Sequence, residues 1–138
     1  MKKNDVKENN LLVAIAILTV ILAILGRLLS FGWVTSMLTM IPVIPIYCML
    51  FLIATITIAR FNKKEKKDYI LFGFLCITMI ISSFTFIDYN DSGVVNMLFS
   101  DFNNEVFNYI SIVSFILNIV FSMYSLILSG KKKYIYES

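Results

Sequence analysis

Histidine is missing from this chain, and with it the commonest general base and the commonest metal ligand. Cysteine occurs twice, at Cys48 and Cys76, each inside a long apolar run. Thiols in such surroundings stay protonated and inert, and two cysteines without histidine do not make a zinc site of the usual kind. Glycine is sparse, with five residues, and none belongs to a phosphate-cradling loop or a GxSxG elbow. Paired carboxylates occur only between residues 88 and 105. These absences predict a protein that is not an enzyme and uses no metal or cofactor.

Charge is scarcer still where it matters. Only 15% of the residues are charged and 59% are hydrophobic, against about a quarter and less than half in a soluble domain. From Leu11 to Ala59 the only Asp, Glu, Lys or Arg is Arg27, and none lies between Tyr69 and Ile87 or between Val106 and Gly130. A helix needs about 20 apolar residues to cross about 30 Å of hydrocarbon. Four spans are therefore predicted, at about 11–30, 38–59, 70–87 and 107–129. The fold class is all-α, a four-helix transmembrane bundle filling residues 11–130. A tail, 1–10, precedes it and a basic tail, 131–138, follows. The first apolar run is long and lacks a small-x-small site before Arg27, so it reads as an uncleaved span.

Positive residues gather on the cytoplasmic side of membrane spans. The stretch "RFNKKEKKD", 60–68, holds five positive and two negative charges, and the tail "KKKYIYES" three and one. The segment "DYNDSGVVNMLFSDFNNE", 88–105, has four acids and no Lys or Arg. Both termini and the 60–69 connection are expected in the cytoplasm, with 31–37 and 88–105 outside, in a cell (plasma) membrane. Trp33, Tyr69, Tyr89 and Tyr134 fall near the interfaces. The net charge of +3 thus reflects topology and contact with membrane lipids, and nucleic acid is not an expected partner. The Ile-, Asn- and Lys-rich composition suggests an AT-rich bacterial genome.

The last span is unusually polar for its length. From Ser111 the polar residues Ser114, Asn118, Ser122, Ser125 and Ser129 follow in steps of 3, 4, 4, 3 and 4, within an arc of about 80°. Small side chains let helices approach closely and hydroxyls bond across the contact, so the stripe predicts a packing seam. A polar route for an ion is the other reading, but such routes use Asp, Glu or His within the span. The first span carries Ala16, Thr19, Ala23, Gly26 and Ser30 at similar steps, and Gly73, Cys76 and Ser83 form a weaker series in the third. The first and fourth spans are expected to meet through their seams, unless a homo-oligomer uses one of them.

Arg27 lies within the first span, toward its outer end. Its side chain leans back toward the helix N-terminus, against outward snorkelling, so a carboxylate partner is expected. Asp88 at the end of the third span fits best and Glu105 second; Arg27→Ala and Asp88→Ala are each expected to reduce folded yield, and a charge swap to restore it. The alternative is an Arg27 that only anchors at the headgroups. "DYNDSG" matches the start of a calcium loop, but Phe99 stands where the bidentate Glu should be, which favours an Asx/Gly turn. Val94, Leu98 and Phe102 have the spacing of a short interfacial turn. Pro42 and Pro45 predict an irregular or kinked start to the second span.

These features predict a protein that works through contacts: an accessory subunit of a membrane complex, or an immunity-type protein against a membrane-acting peptide or toxin. Asp88, Asp91, Asp101 and Glu105 form the expected outer surface for a cationic partner. An oligomeric channel or transporter subunit built around Asn118 is the alternative. A lipid-directed activity using Asp88 or Asp91 ranks third.

Overall fold

The computed structural model describes residues 3–29, 32–61, 64–86, 88–90, 93–95 and 104–137. Five helices account for nearly all of them: α1 (Lys3–Leu29), α2 (Trp33–Met40), α3 (Val43–Ala59), α4 (Lys66–Thr85) and α5 (Asn104–Glu137). The exception is a small antiparallel hairpin of β1 (Asp88–Asn90) and β2 (Gly93–Val95), with Asp88 opposite Val95 and Asn90 opposite Gly93. Among the described residues, three helical segments are long and apolar enough to cross a membrane: Val6–Leu28, Lys66–Thr85 and Glu105–Gly130. A fourth exists only if α2 and α3, bent by 71° at their junction, count as one.

That bend is the irregularity expected from Pro42 and Pro45, and it divides the expected span at 38–59 between α2 and α3. Pro42 offers no N–H to continue α2 and holds the residue before it out of the helical region. Ile41 accordingly has φ −82° and ψ 109°. Pro45 falls in the first turn of α3, where a missing N–H disrupts no intrahelical bond. α1 begins at Lys3 and α5 runs unbroken through Gly130 to Glu137, so the segments read as tails are helical. With 34 residues, α5 is about 51 Å long.

The long helices pack in a ring, α1 on α3, α3 on α5, α5 on α4 and α4 on α1. α1 and α5 stand at opposite corners, and the predicted pairing of their seams does not form. Instead both seams face α4 from its two sides. The core between the helices is made of Phe51, Ala54, Ile58, Leu75 and Met79 together with small and polar residues. The outside is the reverse: Leu18, Ile21, Leu25, Leu28, Ile53, Ile77, Val113, Ile116, Val120 and Ile127 are exposed.

The end bearing the start of α1 is closed by polar ties. Lys64 donates to Asn9 Oδ1, and its Nζ lies 3.8 Å from Glu8. Tyr69 donates its hydroxyl to Glu8. α4 starts in a capping box: Glu65 accepts from the Asp68 N–H, and Asp68 Oδ2 accepts from the Glu65 N–H at 2.8 Å. The spacing Glu-x-x-Asp is the sequence signal for this start.

Candidate functional site

The α5 stripe lies where its spacing puts it, buried. Ser111, Ser114, Asn118, Ser122 and Ser125 are all covered, and the last three have at most negligible exposure. Its partner is α4. Ser111 Oγ donates to the Ser82 carbonyl at 2.8 Å, and Asn118 Nδ2 donates to the Leu75 carbonyl and to Thr78 Oγ1, each at 2.8 Å. Tyr47 of α3 stacks at a tilt on Phe115, and Phe74 of α4 meets Phe121 edge-on, which brackets the stripe with aromatic contacts. Asn118 Oδ1 and Ser122 Oγ have no hydrogen-bond partner among the described residues. Ser122 therefore serves the seam by being small.

On α1, Ala16, Thr19, Ala23 and Gly26 are likewise buried. Gly26 permits the closest approach: a Cβ there would sit 2.8 Å from the Phe84 ring of α4. Thr19 donates its hydroxyl to the Ile15 carbonyl of its own helix and also meets the Cys76 thiol of α4. Gly73, expected in a third seam, faces open space and is not a close-packing glycine.

The most elaborate polar assembly lies at the other end of the bundle, where α1, α2, α4 and the hairpin meet. Arg27 and Asp88 are brought together, Nη2 to Oδ2 at 3.5 Å, with Asp88 fully buried and the Arg27 side chain 14% exposed. Asp88 is also the cap of α2. Its Oδ2 accepts from the backbone N–H of Gly32 at 3.0 Å and of Thr35 at 2.7 Å, and its Oδ1 from Val34 at 2.9 Å. A carboxylate at a helix N-terminus satisfies orphan donors and meets the positive end of the helix dipole. Arg27 donates Nη1 to the Phe86 carbonyl at 3.1 Å and Nη2 to Thr35 Oγ1, while its guanidinium lies 4.6 Å from the Phe86 ring centroid. Sequence spacing suggests the ion pair but not Thr35 or Phe86, because their part depends on the bend that lays α2 across the end of the bundle.

This geometry corrects the outer acidic surface. Asp88 is withdrawn into the protein and cannot face a partner. Glu105 is exposed at the start of α5, and Asp91 and Asp101 lie outside the described residues, as do Ser30, Leu98, Phe102 and the side chains of Trp33, Tyr89 and Tyr134. The calcium-loop pattern fails physically too, since its first ligand is already spent on α2 and Val94 belongs to β2. Cys48 and Cys76 are free thiols, and among the described residues no cluster of His, Cys, Asp and Glu could hold a metal.

Beside the Arg27 assembly all five helices surround a cavity of about 410 Å³. Its walls are mainly apolar, and Arg27, Thr35 and Phe86 stand among its lining. Where Tyr47, Ser82 and Ser111 reach it their groups are already engaged, Tyr47 Oη with Ser82 Oγ at 3.2 Å and Ser111 with the Ser82 carbonyl. No family model, curated protein or solved structure matches the chain.

Proposed function

We propose that the chain is a polytopic protein of the cell membrane that acts through contacts with another membrane component and catalyses no reaction. The observation that carries this reading is the inverted distribution of side chains. Thr19, Thr55, Thr78, Ser82, Ser111, Asn118 and Ser125 are buried, while a belt of Ile, Leu, Val and Met is exposed on the outer faces of α1, α3, α4 and α5. Water does not tolerate an apolar surface that extensive on a soluble protein, whereas lipid tails do. Charge bias supports an orientation with both termini and the 60–69 connection in the cytoplasm and the β1–β2 hairpin outside. In this setting the chain is an accessory subunit, or an immunity-type protein that meets a membrane-acting peptide at its outer end.

The channel reading has less support, because α4 fills the stripe that would line a pore. The deciding experiment is the mass and composition of the tagged protein extracted gently from its own membranes. A foreign subunit in fixed ratio is the expected result and would name the system. A ring of identical copies with measurable ion flux would replace this reading with the channel. Recovery in the soluble fraction without detergent would remove its premise.

A further inference from the structure

We propose that the cavity beside Arg27 is a binding site for one acyl chain of an anionic phospholipid, drawn from the surrounding bilayer with its phosphate on Arg27. The inference rests on the membrane reading and goes beyond it by naming a ligand.

Three observations converge. The cavity has the volume of a small-molecule site, about 410 Å³, and its walls are mainly apolar, which suits a hydrocarbon chain. On α4 and its C-cap the lining runs from Met79 to Phe86, which spans about 10 Å along the bundle and favours an elongated occupant. Ile24, Leu28 and Ile112 belong to the lining and are also exposed on the flank of the bundle, so the cavity is continuous with the surface that faces lipid tails.

The polar end selects the head. A guanidinium has five N–H donors. Arg27 uses one on Phe86 and one on Thr35, and its approach to Asp88 at 3.5 Å is longer than a hydrogen bond. Asp88 meanwhile accepts from three backbone N–H groups at the positive end of α2. Its negative charge is shared between that helix end and the arginine, and the balance beside the cavity is positive. Donors remain on Arg27 with no partner among the described residues. A phosphodiester is the anion that a chain entering from the bilayer brings with it, and Arg binds phosphate oxygens in bidentate fashion.

The test is lipid retention. The full-length protein in detergent is incubated with equal amounts of phosphatidylglycerol and phosphatidylcholine of identical chains, and retained lipid is counted by native mass spectrometry. The wild type is expected to hold one lipid, with phosphatidylglycerol favoured by about fivefold, the effect of one arginine near a headgroup. In Cys48→Phe, which fills the cavity from α3 and leaves Arg27 untouched, retention of both lipids should be lost. In Arg27→Gln the preference should vanish. If Arg27→Gln does not accumulate, Cys48→Phe decides alone. Retention in Cys48→Phe equal to wild type, no preference for phosphatidylglycerol in the wild type, or no lipid held by a folded wild type would each overturn the proposal. Resistance of the protein to extraction from membranes by alkaline carbonate is measured in parallel. It tests the membrane reading separately, so the two can fail independently.

Discussion

At the scale of single residues, Asp88 matters more than the arginine it pairs with. Removing Arg27 leaves a buried carboxylate that still accepts from three N–H groups, whereas removing Asp88 strands those donors and a largely buried guanidinium together. Asp88→Ala should lower stability by about 3–5 kcal/mol and Arg27→Ala by about 1–3 kcal/mol, read from unfolding in mixed detergent micelles. The same geometry argues against rescue of folded yield by a charge swap, since an arginine at 88 has no acceptor for the N–H groups of α2. The glycines make a second pair of predictions. Gly26→Ala drives a methyl into the Phe84 ring and should destabilise by about 1–3 kcal/mol. Gly73→Ala meets open space and should stabilise by up to about 1 kcal/mol, through helix propensity alone. The two glycines look alike in the sequence, each on a helix with small residues nearby. Only the neighbouring helix distinguishes them.

At the scale of elements, α5 shows what a polar stripe in a long apolar helix accomplishes. Asn118→Leu gives up two bonds to α4 but also removes an unpartnered oxygen, so its net effect should stay within about 1 kcal/mol. Ser122→Leu gives up no bond among the described residues, yet forces a large side chain into a fully buried contact, and should be the worse of the two at about 1–3 kcal/mol. The opposite ranking in a denaturation series would mean that polarity, and not size, holds α4 to α5. α2 depends on a different device. It is eight residues long, and a helix that short is marginal by itself, so its position relies on the Asp88 cap and the break at Pro42. In Asp88→Asn the amides of α2 should exchange hydrogen faster, while those of α5 keep their protection.

At the scale of the whole molecule, the bundle separates two chemistries by its two ends. Lys64, Glu8, Asn9 and Tyr69 tie α1 to the α3–α4 connection at one end, and Arg27, Thr35 and Asp88 tie α1, α2 and the hairpin at the other. Single cysteines placed at Lys64 and at Asn90, in a background without Cys48 and Cys76, should differ in their reaction with an impermeant maleimide applied to intact cells. Labelling at Asn90 alone is the expected outcome, and labelling at Lys64 alone would invert the proposed topology. The helix ring also explains why the two small-residue seams are not available to a second copy of the chain. Each is already covered by α4, leaving only the apolar belt and the two ends for partners.

The sequence by itself determined roughly where the long helices run and which faces of α1 and α5 are buried. Both follow from local physics, because a long apolar run satisfies its backbone groups within a helix and because a repeat of three and four residues returns to one side. It also marked Arg27 as a charge in need of a carboxylate. Only the tertiary structure decided which helices are neighbours, since small-residue seams on α1 and α5 are compatible with each other and with α4 alike. The same holds for α2. Two prolines announce an irregularity, but its direction follows from Asp88, fifty-three residues beyond Thr35, reaching back to hold the start of the helix. The cavity is likewise a property of packing, made where five helices converge, and no spacing along the chain encodes it.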